Sequence, residues 1–286
     1  MPFITLTTDF GAKDHFVGAV KGAIYSELAD AKIVDITHEI SPFNITETAY
    51  ILKNSYKSFP EGTIHIVGVD SELSEDNKHI AIELDKHFFV CPDNGIISMI
   101  ASEIQPTKIV EINIHDRIES SFPVLDVFVQ VACFIARGGN LTVIGKEITE
   151  FKKLIEIQPK VNQAQTQIIG GVVYIDNYGN VISNISNKMF NDIGKGRTYK
   201  VSASRYSFNK IYKKYNEITG NDLQDARQFD GNKLAIFNSA GFLEIAIYRS
   251  NLNTVGGASS LLGLDYRDPI IIEFFMESKT EYTLLT

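Results

Sequence analysis

Apolar runs in this chain repeatedly end on a carboxylate or an amide. Ile4-Thr5-Leu6-Thr7-Thr8 stops at Asp9-Phe10-Gly11, with Asp14 shortly after, and Gly68-Val69 stops at Asp70. Val90-Cys91 leads into Pro92-Asp93-Asn94-Gly95, Tyr174-Ile175 into Asp176-Asn177-Tyr178-Gly179-Asn180, and Ala235-Ile236-Phe237 into Asn238-Ser239. A β-branched run stopping on a carboxylate reads as a buried strand that delivers the group to its C-terminal tip, where open α/β sheets bind ligands. Two readings stay open for Asp9 and Asp14: a shared crevice, or turn closure and helix capping. Asp70 is likewise either a partner of Asp9 or a turn residue, and the Pro-Asp-Asn-Gly stretch fits ordinary turn chemistry. His38, in Val34-Asp35-Ile36-Thr37-His38, reads as a structural hydrogen-bonding residue. Asp-Asn-Tyr-Gly-Asn is the most specific segment. It fits a hairpin turn with glycine at positive φ. It also holds the parts of a purine nucleoside cradle: a ring to stack, an amide for the base edge, and a carboxylate for an ammonium or hydroxyl.

These groups need a scaffold, and the composition supplies one. With 44% hydrophobic and 22% charged residues, the 286-residue chain can build one large core or two moderate ones. A net charge of -8 without a Lys/Arg cluster argues against a nucleic-acid partner. Lys152-Lys153 and Lys213-Lys214-Tyr215 are too short to change that and read as solvated surface. No apolar run is long enough to span a membrane and the N-terminus lacks a signal-peptide pattern, so a cytoplasmic location without membrane contact is expected. Cys91 and Cys133 sit in apolar contexts and read as free core thiols of a reducing compartment. The six histidines are scattered without ligand spacing, which implies no metal.

Two textures divide the chain. Over residues 1–155, strand-like runs (Ile4–Thr8, Ile33–Ile36, Ile64–Val69, Ile109–Ile114) alternate with helical ones (Phe16–Leu28, Thr46–Ser58, Ile96–Ile104, Val124–Ala136). His79–Leu84 and His87–Cys91 form a hairpin turned at Asp85-Lys86. This βαβ rhythm predicts an N-terminal α/β domain with a mostly parallel sheet and flanking helices. After a polar linker at 156–166, short β runs separated by Gly, Asn and Asp fill 167–286, from Gln167–Asp176 to Ile270–Phe275. No convincing helix interrupts them, so a small all-β barrel is expected, ending in a frayed tail over 278–286.

In this order, the motifs resemble those of the S-adenosylmethionine hydroxide adenosyltransferases, relatives of the fluorinases and chlorinases. The resemblance rests on Thr7-Thr8-Asp9-Phe10-Gly11, Val34-Asp35-Ile36-Thr37-His38, Phe59-Pro60-Glu61-Gly62-Thr63, Pro92-Asp93-Asn94-Gly95, Ile175-Asp176 through Asn180, and Asn238-Ser239 through Ala246. It covers nearly the whole chain. It implies a homotrimer in which ligand lies between one subunit's N-terminal domain and its neighbour's C-terminal domain. By the same resemblance Asp9 holds the ribose hydroxyls and Asp14 approaches the methionine end. Asp176 and Ser239 hold the amino-acid portion, Asn180 supplies an adenine-side amide, Tyr178 stands for the usual stacking Phe, and Phe43 is a pocket aromatic. The implied chemistry is in-line displacement at the ribose C5′ with methionine leaving. S-adenosylmethionine is substrate or ligand, and no cofactor is implied.

The chain departs from the family where water is prepared for attack. Asp70 fits the Asp of the family's Asp-Arg-His set, but the Arg position falls at Asn77 and the His position at Pro123, which cannot exchange a proton. Lys78 or His79 can supply the missing cation beside a hydroxide. Val124 occupies the halide-binding position and offers no hydrogen bond, so halogenation is not expected. After Ile247 a longer loop runs to Gly256-Gly257-Ala258 in place of a short Asn-x-Gly turn. Three readings follow: a hydrolase releasing adenosine and methionine, a non-catalytic S-adenosylmethionine or adenosine binder, and an adenosyl transferase with another nucleophile.

Overall fold

The computed structural model describes residues 3–101, 104–114, 120–154, 157–220 and 226–275. The expected tail and the first residue of the expected linker lie outside these. Contacts divide the chain into two units, 1–156 and 157–286.

The first unit is built on β1 (Phe3–Thr8), β2 (Lys32–Thr37), β3 (Ile64–Gly68), β4 (His79–Leu84), β5 (His87–Pro92), β6 (Lys108–Ile112) and β7 (Gly145–Glu147). Alternation decides its faces. Ile4, Leu6, Ile64, Ile66, Ala81 and Val90 pack on one side with Val20 and Ile24 of α1 (Phe16–Glu27) and with α4 (Val129–Ala136). Val67, Val69, Ile80, Ile82, Phe89 and Cys91 pack on the other, against α2 (Ile45–Ser55) and α3 (Ile96–Ile100). The strand order is β2-β1-β3-β5-β4-β6-β7. β2, β1, β3 and β5 pair in parallel, whereas β4 pairs antiparallel with β5 and β6, and β6 antiparallel with β7. The sheet is therefore mixed rather than mostly parallel. Asp85 and Lys86 both have positive φ (50° and 64°), which fits a two-residue hairpin turn. Two residues cannot form a parallel crossover, so β4 must enter reversed. Cys91 and Cys133 are buried free thiols, and burial pushes Cys133 up to about 11.

The second unit contains β8 (Lys160–Val161), β9 (Gln167–Ile175), β10 (Val181–Ser186), β11 (Thr198–Ala203), β12 (Tyr206–Phe208), β13 (Ile211–Tyr212), β14 (Lys233–Phe237), β15 (Phe242–Ile247) and β16 (Pro269–Phe275). Its sheet runs β12-β11-β16-β9-β10-β15-β14-β13, with β8 added on β9. The outermost strands β12 and β13 are separated by only Asn209 and Lys210, so the sheet curls into a nearly closed barrel around Ile168, Val181, Ile245 and Ile270. The unit is not all-β. Helix α5 (Asn187–Gly194) starts where the Ser186 hydroxyl caps the Met189 N–H, and α6 (Ala258–Leu262) follows the long late loop. The largely polar sequence of α5 hides it, because only Met189, Phe190 and Ile193 face the barrel. Phe190 fixes that face, with its ring 5.1 Å from Tyr199 and 5.5 Å from Phe274.

A polar seam runs beneath α2. The Thr5 hydroxyl lies 2.7 Å from His65 Nδ1, and His65 Nε2 lies 3.2 Å from His87 Nδ1. Both contacts are satisfied when Thr5 donates to a neutral His65, which in turn donates to a neutral His87. Burial drives His65 down to about 3, and the nearby His87 adds to the shift. An unfolded histidine binds its proton below about 6.5, while folded His65 refuses it until about 3, so this stabilisation is complete above 6.5 and declines as pH falls. Urea titrations should show stability falling over that window by up to about 1.4 kcal/mol per pH unit from this group. His65→Gln should flatten the slope, and an unchanged slope would show that His65 is not held neutral.

Candidate functional site

In the first unit, the tips of adjacent strands β1 and β3 bring Asp9 and Asp70 together, since Thr8 pairs with Gly68. Asp9 Oδ2 accepts the Phe43 N–H at 2.9 Å, which holds Phe43 at φ 62° with 71% of its surface exposed. A left-handed aromatic residue needs such a restraint. Burial raises the Asp9 carboxyl above its usual value, the Phe43 amide draws it back, and the charge of Asp70 adds to the rise. Asp70 itself has φ 49°. Its loop is pinned from below: Asn94 Nδ2 donates to the Val69 carbonyl at 3.0 Å, and Asn77 Nδ2 donates to the Asp70 and Glu72 carbonyls at 2.8 and 2.9 Å.

The remaining residues singled out in this unit fall in different places. Asp14 is exposed and does not cap α1, whose N-cap is His15 without a side-chain bond. His79 is fully buried, with Nε2 at 2.9 Å from the Ser71 carbonyl and its ring edge-on to Phe128. It therefore braces the loop after Asp70. Lys78 is half-buried, and its carbonyl accepts the Asp93 N–H. His38 bridges the Thr8 hydroxyl (2.7 Å) and Asp35 (3.2 Å), while Asp35 also holds Lys21 at 2.6 Å. Pro123 and Val124 are buried at the start of the π-helical turn Val124–Phe128 that opens into α4. A Cβ on Gly68 would lie 2.8 Å from Val124, so glycine here lets the helix cover the tip of β3. Phe10, Phe16 and Phe122 close an apolar wall nearby, with centroids 5.3–5.8 Å apart. Sequence reading missed this wall because its members come from three separate segments.

In the second unit, Asp176 organises its own turn. Its Oδ1 accepts the N–H groups of Tyr178 and Asn180, both at 2.8 Å, and its Oδ2 accepts Asn180 Nδ2 at 3.0 Å. Asn180 is 5% exposed, whereas Tyr178 stands out with 61% exposed. The late loop clamps this turn: Ser259 N–H donates to the Gly179 carbonyl, and a Cβ on Gly257 would lie 2.5 Å from the Tyr178 carbonyl. Across the sheet, Asn238 Oδ1 accepts from Ala240 and Phe242, shaping the turn that exposes Ser239. A groove of about 600 Å³ on this unit is lined by Tyr206, Tyr212, Phe229, Lys210 and Lys233, and no predicted site residue borders it.

Buried polar atoms single out the same segments. Among the described residues, Thr7 Oγ1, Asn77 Oδ1 and Asn180 Oδ1 are buried side-chain atoms without a hydrogen-bond partner. Each belongs to a motif or to the loop after Asp70. Unpaired buried groups are costly, so each calls for a partner such as an ordered water or a bound molecule. Also among the described residues, no three metal-ligating side chains gather, and no helix is long and apolar enough to cross a membrane.

Comparison with known proteins finds relatives of both parts of the chain. Residues 4–145 match the model of the SAM hydroxide adenosyltransferase N-terminal domain, and residues 170–271 that of its C-terminal domain. The (R)-S-adenosyl-L-methionine hydrolase of Methanocaldococcus jannaschii is 32% identical over 95% of this chain and 96% of its own. The fluorinase of Actinopolyspora mzabensis is 21% identical over 68% of this chain and 75% of its own. The crystal structure of an uncharacterized conserved protein from Thermotoga maritima superposes with a TM-score of 0.80 at 30% identity, covering 94% of this chain and 99% of that one. Asp176→Ala removes three bonds from one turn and should cost about 1–3 kcal/mol of unfolding free energy. Denaturant titration checks this, and a stability equal to wild type would show that the turn holds without its carboxylate.

Proposed function

The chain belongs to the S-adenosylmethionine hydroxide adenosyltransferase family, and on that premise we propose that it hydrolyses S-adenosylmethionine to adenosine and L-methionine. The observation that carries this reading is that Thr7 Oγ1 and Asn180 Oδ1, both in motif segments, are buried without a partner. Water oxygen attacks the ribose C5′ in line, the C5′–S bond breaks, and its electron pair returns to sulfur as a neutral thioether. The water proton passes to solvent or to a nearby carboxylate. A sulfonium is already an activated leaving group, so the reaction calls for no cofactor. Alignment and desolvation of the water do most of the work, and such terms reach roughly 7–11 kcal/mol.

In this reading Asp70 orients the water and Lys78 is the candidate cation, since the Nε2 of His79 faces the Ser71 carbonyl. Asp9 takes the ribose hydroxyls. Asp14 and Phe43 complete the first unit's share, while Asp176, Tyr178, Asn180 and Ser239 hold the base and amino-acid ends. We place these two shares together in a homotrimer, each ligand meeting two different subunits, and in the cytoplasm. The exposed rings of Phe43 and Tyr178 support that assembly, since each offers a face for a ligand to cover.

A second reading, binding without turnover, is favoured by one observation: Asn77 is committed to backbone carbonyls and Pro123 is buried in a helix start. Chromatography of S-adenosylmethionine incubations separates the two. Adenosine should accumulate without added nucleophile, and Asp70→Ala should slow it by about 100-fold or more while calorimetric binding persists. Binding without adenosine would select the second reading, and turnover only with an added anion would select another nucleophile. Light scattering should return three times the 31.9 kDa chain mass.

A further inference from the structure

Glu244 is a carboxylate inside the apolar strand Phe242–Ile247, and it is 3% exposed. Its neighbours Leu243 and Ile245 face the barrel core, so Glu244 faces outward. It is covered there by Tyr215, which arrives on the long excursion between β13 and β14. The Tyr215 hydroxyl donates to Glu244 Oε1 at 2.6 Å, and the Asn238 side chain donates to the same carboxylate. Asn238 Oδ1 is already occupied by the Ala240 and Phe242 amides, at 3.0 and 3.2 Å. Its Nδ2 must therefore be the group that meets Glu244, which fixes the orientation of the amide. Burial raises the Glu244 carboxyl above its usual value, and the charge of Asp176 adds to this despite the Tyr215 and Asn238 bonds.

We propose that Glu244 is a positioning residue for the amino-acid end of the ligand, acting through Asn238 on the turn that presents Ser239 and locked in place by Tyr215. This rests on the reading above that Ser239 and Asp176 hold that end. The chain of contacts is continuous: Tyr215 to Glu244, Glu244 to the Asn238 amide, and Asn238 to the Ala240 and Phe242 N–H groups on either side of Gly241. Removing the carboxylate frees the Asn238 amide to rotate, and the turn loses the acceptor that shapes it. Glutamine preserves the chain, because its Oε1 accepts from Asn238 while its amide donates to the Tyr215 oxygen.

Hydrogen exchange and calorimetry test the proposal on the full chain. In Glu244→Ala, the Ala240 and Phe242 amides should exchange about tenfold faster or more, while amides of the first unit keep wild-type rates. S-adenosylmethionine should bind about tenfold more weakly, adenosine should bind as in wild type, and KM should rise with kcat nearly constant. Glu244→Gln should restore both the exchange rates and the affinity, and Tyr215→Phe should fall between the two. Equal losses for S-adenosylmethionine and adenosine would overturn the proposal in favour of general damage. Failure of glutamine to rescue would overturn it in favour of a purely electrostatic role. Unchanged exchange at Ala240 and Phe242 in Glu244→Ala would break the positioning link while leaving the hydrolase reading intact. A wild-type chain that binds adenosine but not S-adenosylmethionine would instead overturn that reading, and with it the ligand end assigned to Glu244.

Discussion

A carboxylate that ends a strand must find hydrogen-bond donors, and in this protein it finds them in the backbone of loops. Asp9 takes the Phe43 N–H, Asp93 takes the Lys152 N–H, and Asp176 takes those of Tyr178 and Asn180. Each bond is charge-assisted, and so stronger than one between neutral groups. The loops are therefore ordered by carboxylates at strand tips. Phe43 illustrates the consequence: its left-handed backbone is held by Asp9, which leaves the ring projecting into solvent. The strand-tip position supplies the anchor and the loop supplies the recognition surface.

How far this is legible in the sequence depends on the range of the interactions. Strands in the first half are readable almost to the residue, as in Ile4–Thr8 and His79–Leu84. The Asp85-Lys86 hairpin was also readable, but its consequence for the sheet was not. One tight turn reverses β4, and β6 then inherits antiparallel pairing on its far side. Helix α5 escaped because its apolar content is three residues, and its stability comes from a serine cap and from Phe190 meeting distant rings. The motif residues were visible as types in order, yet their partners were not. Nothing local announces that Asn94 braces Val69, or that Tyr215 reaches Glu244.

The positions where the sequence is expected to depart from the family pattern acquire physical sense in the same way. Asn77 does not mimic an arginine. It ties the carbonyls of Asp70 and Glu72 and keeps the loop closed. Pro123 begins a helix whose next residue, Val124, presses on Gly68, so the position is used for packing. The long late loop brings Gly257 against the Tyr178 carbonyl, where any side chain would collide. In each case the residue present stiffens the loop or turn at a strand tip. Rigidity is what an in-line displacement needs most when no strong acid or base is called for.

Charge gives the final link between scaffold and chemistry. Each unit separately places two acids near one another: Asp9 with Asp70, and Asp176 with Glu244. Burial and mutual repulsion raise the carboxyls of Asp9 and Glu244, so the free protein carries an electrostatic cost at both places. A cation close to Asp9 would relieve that cost there and a neutral group would not, whereas Glu244, covered by Tyr215, is relieved only by its hydrogen bonds. Displacement at C5′ then converts the sulfonium into a neutral thioether. Whatever attraction a carboxylate has for that atom ends with the bond that made it a cation, without any movement of the protein.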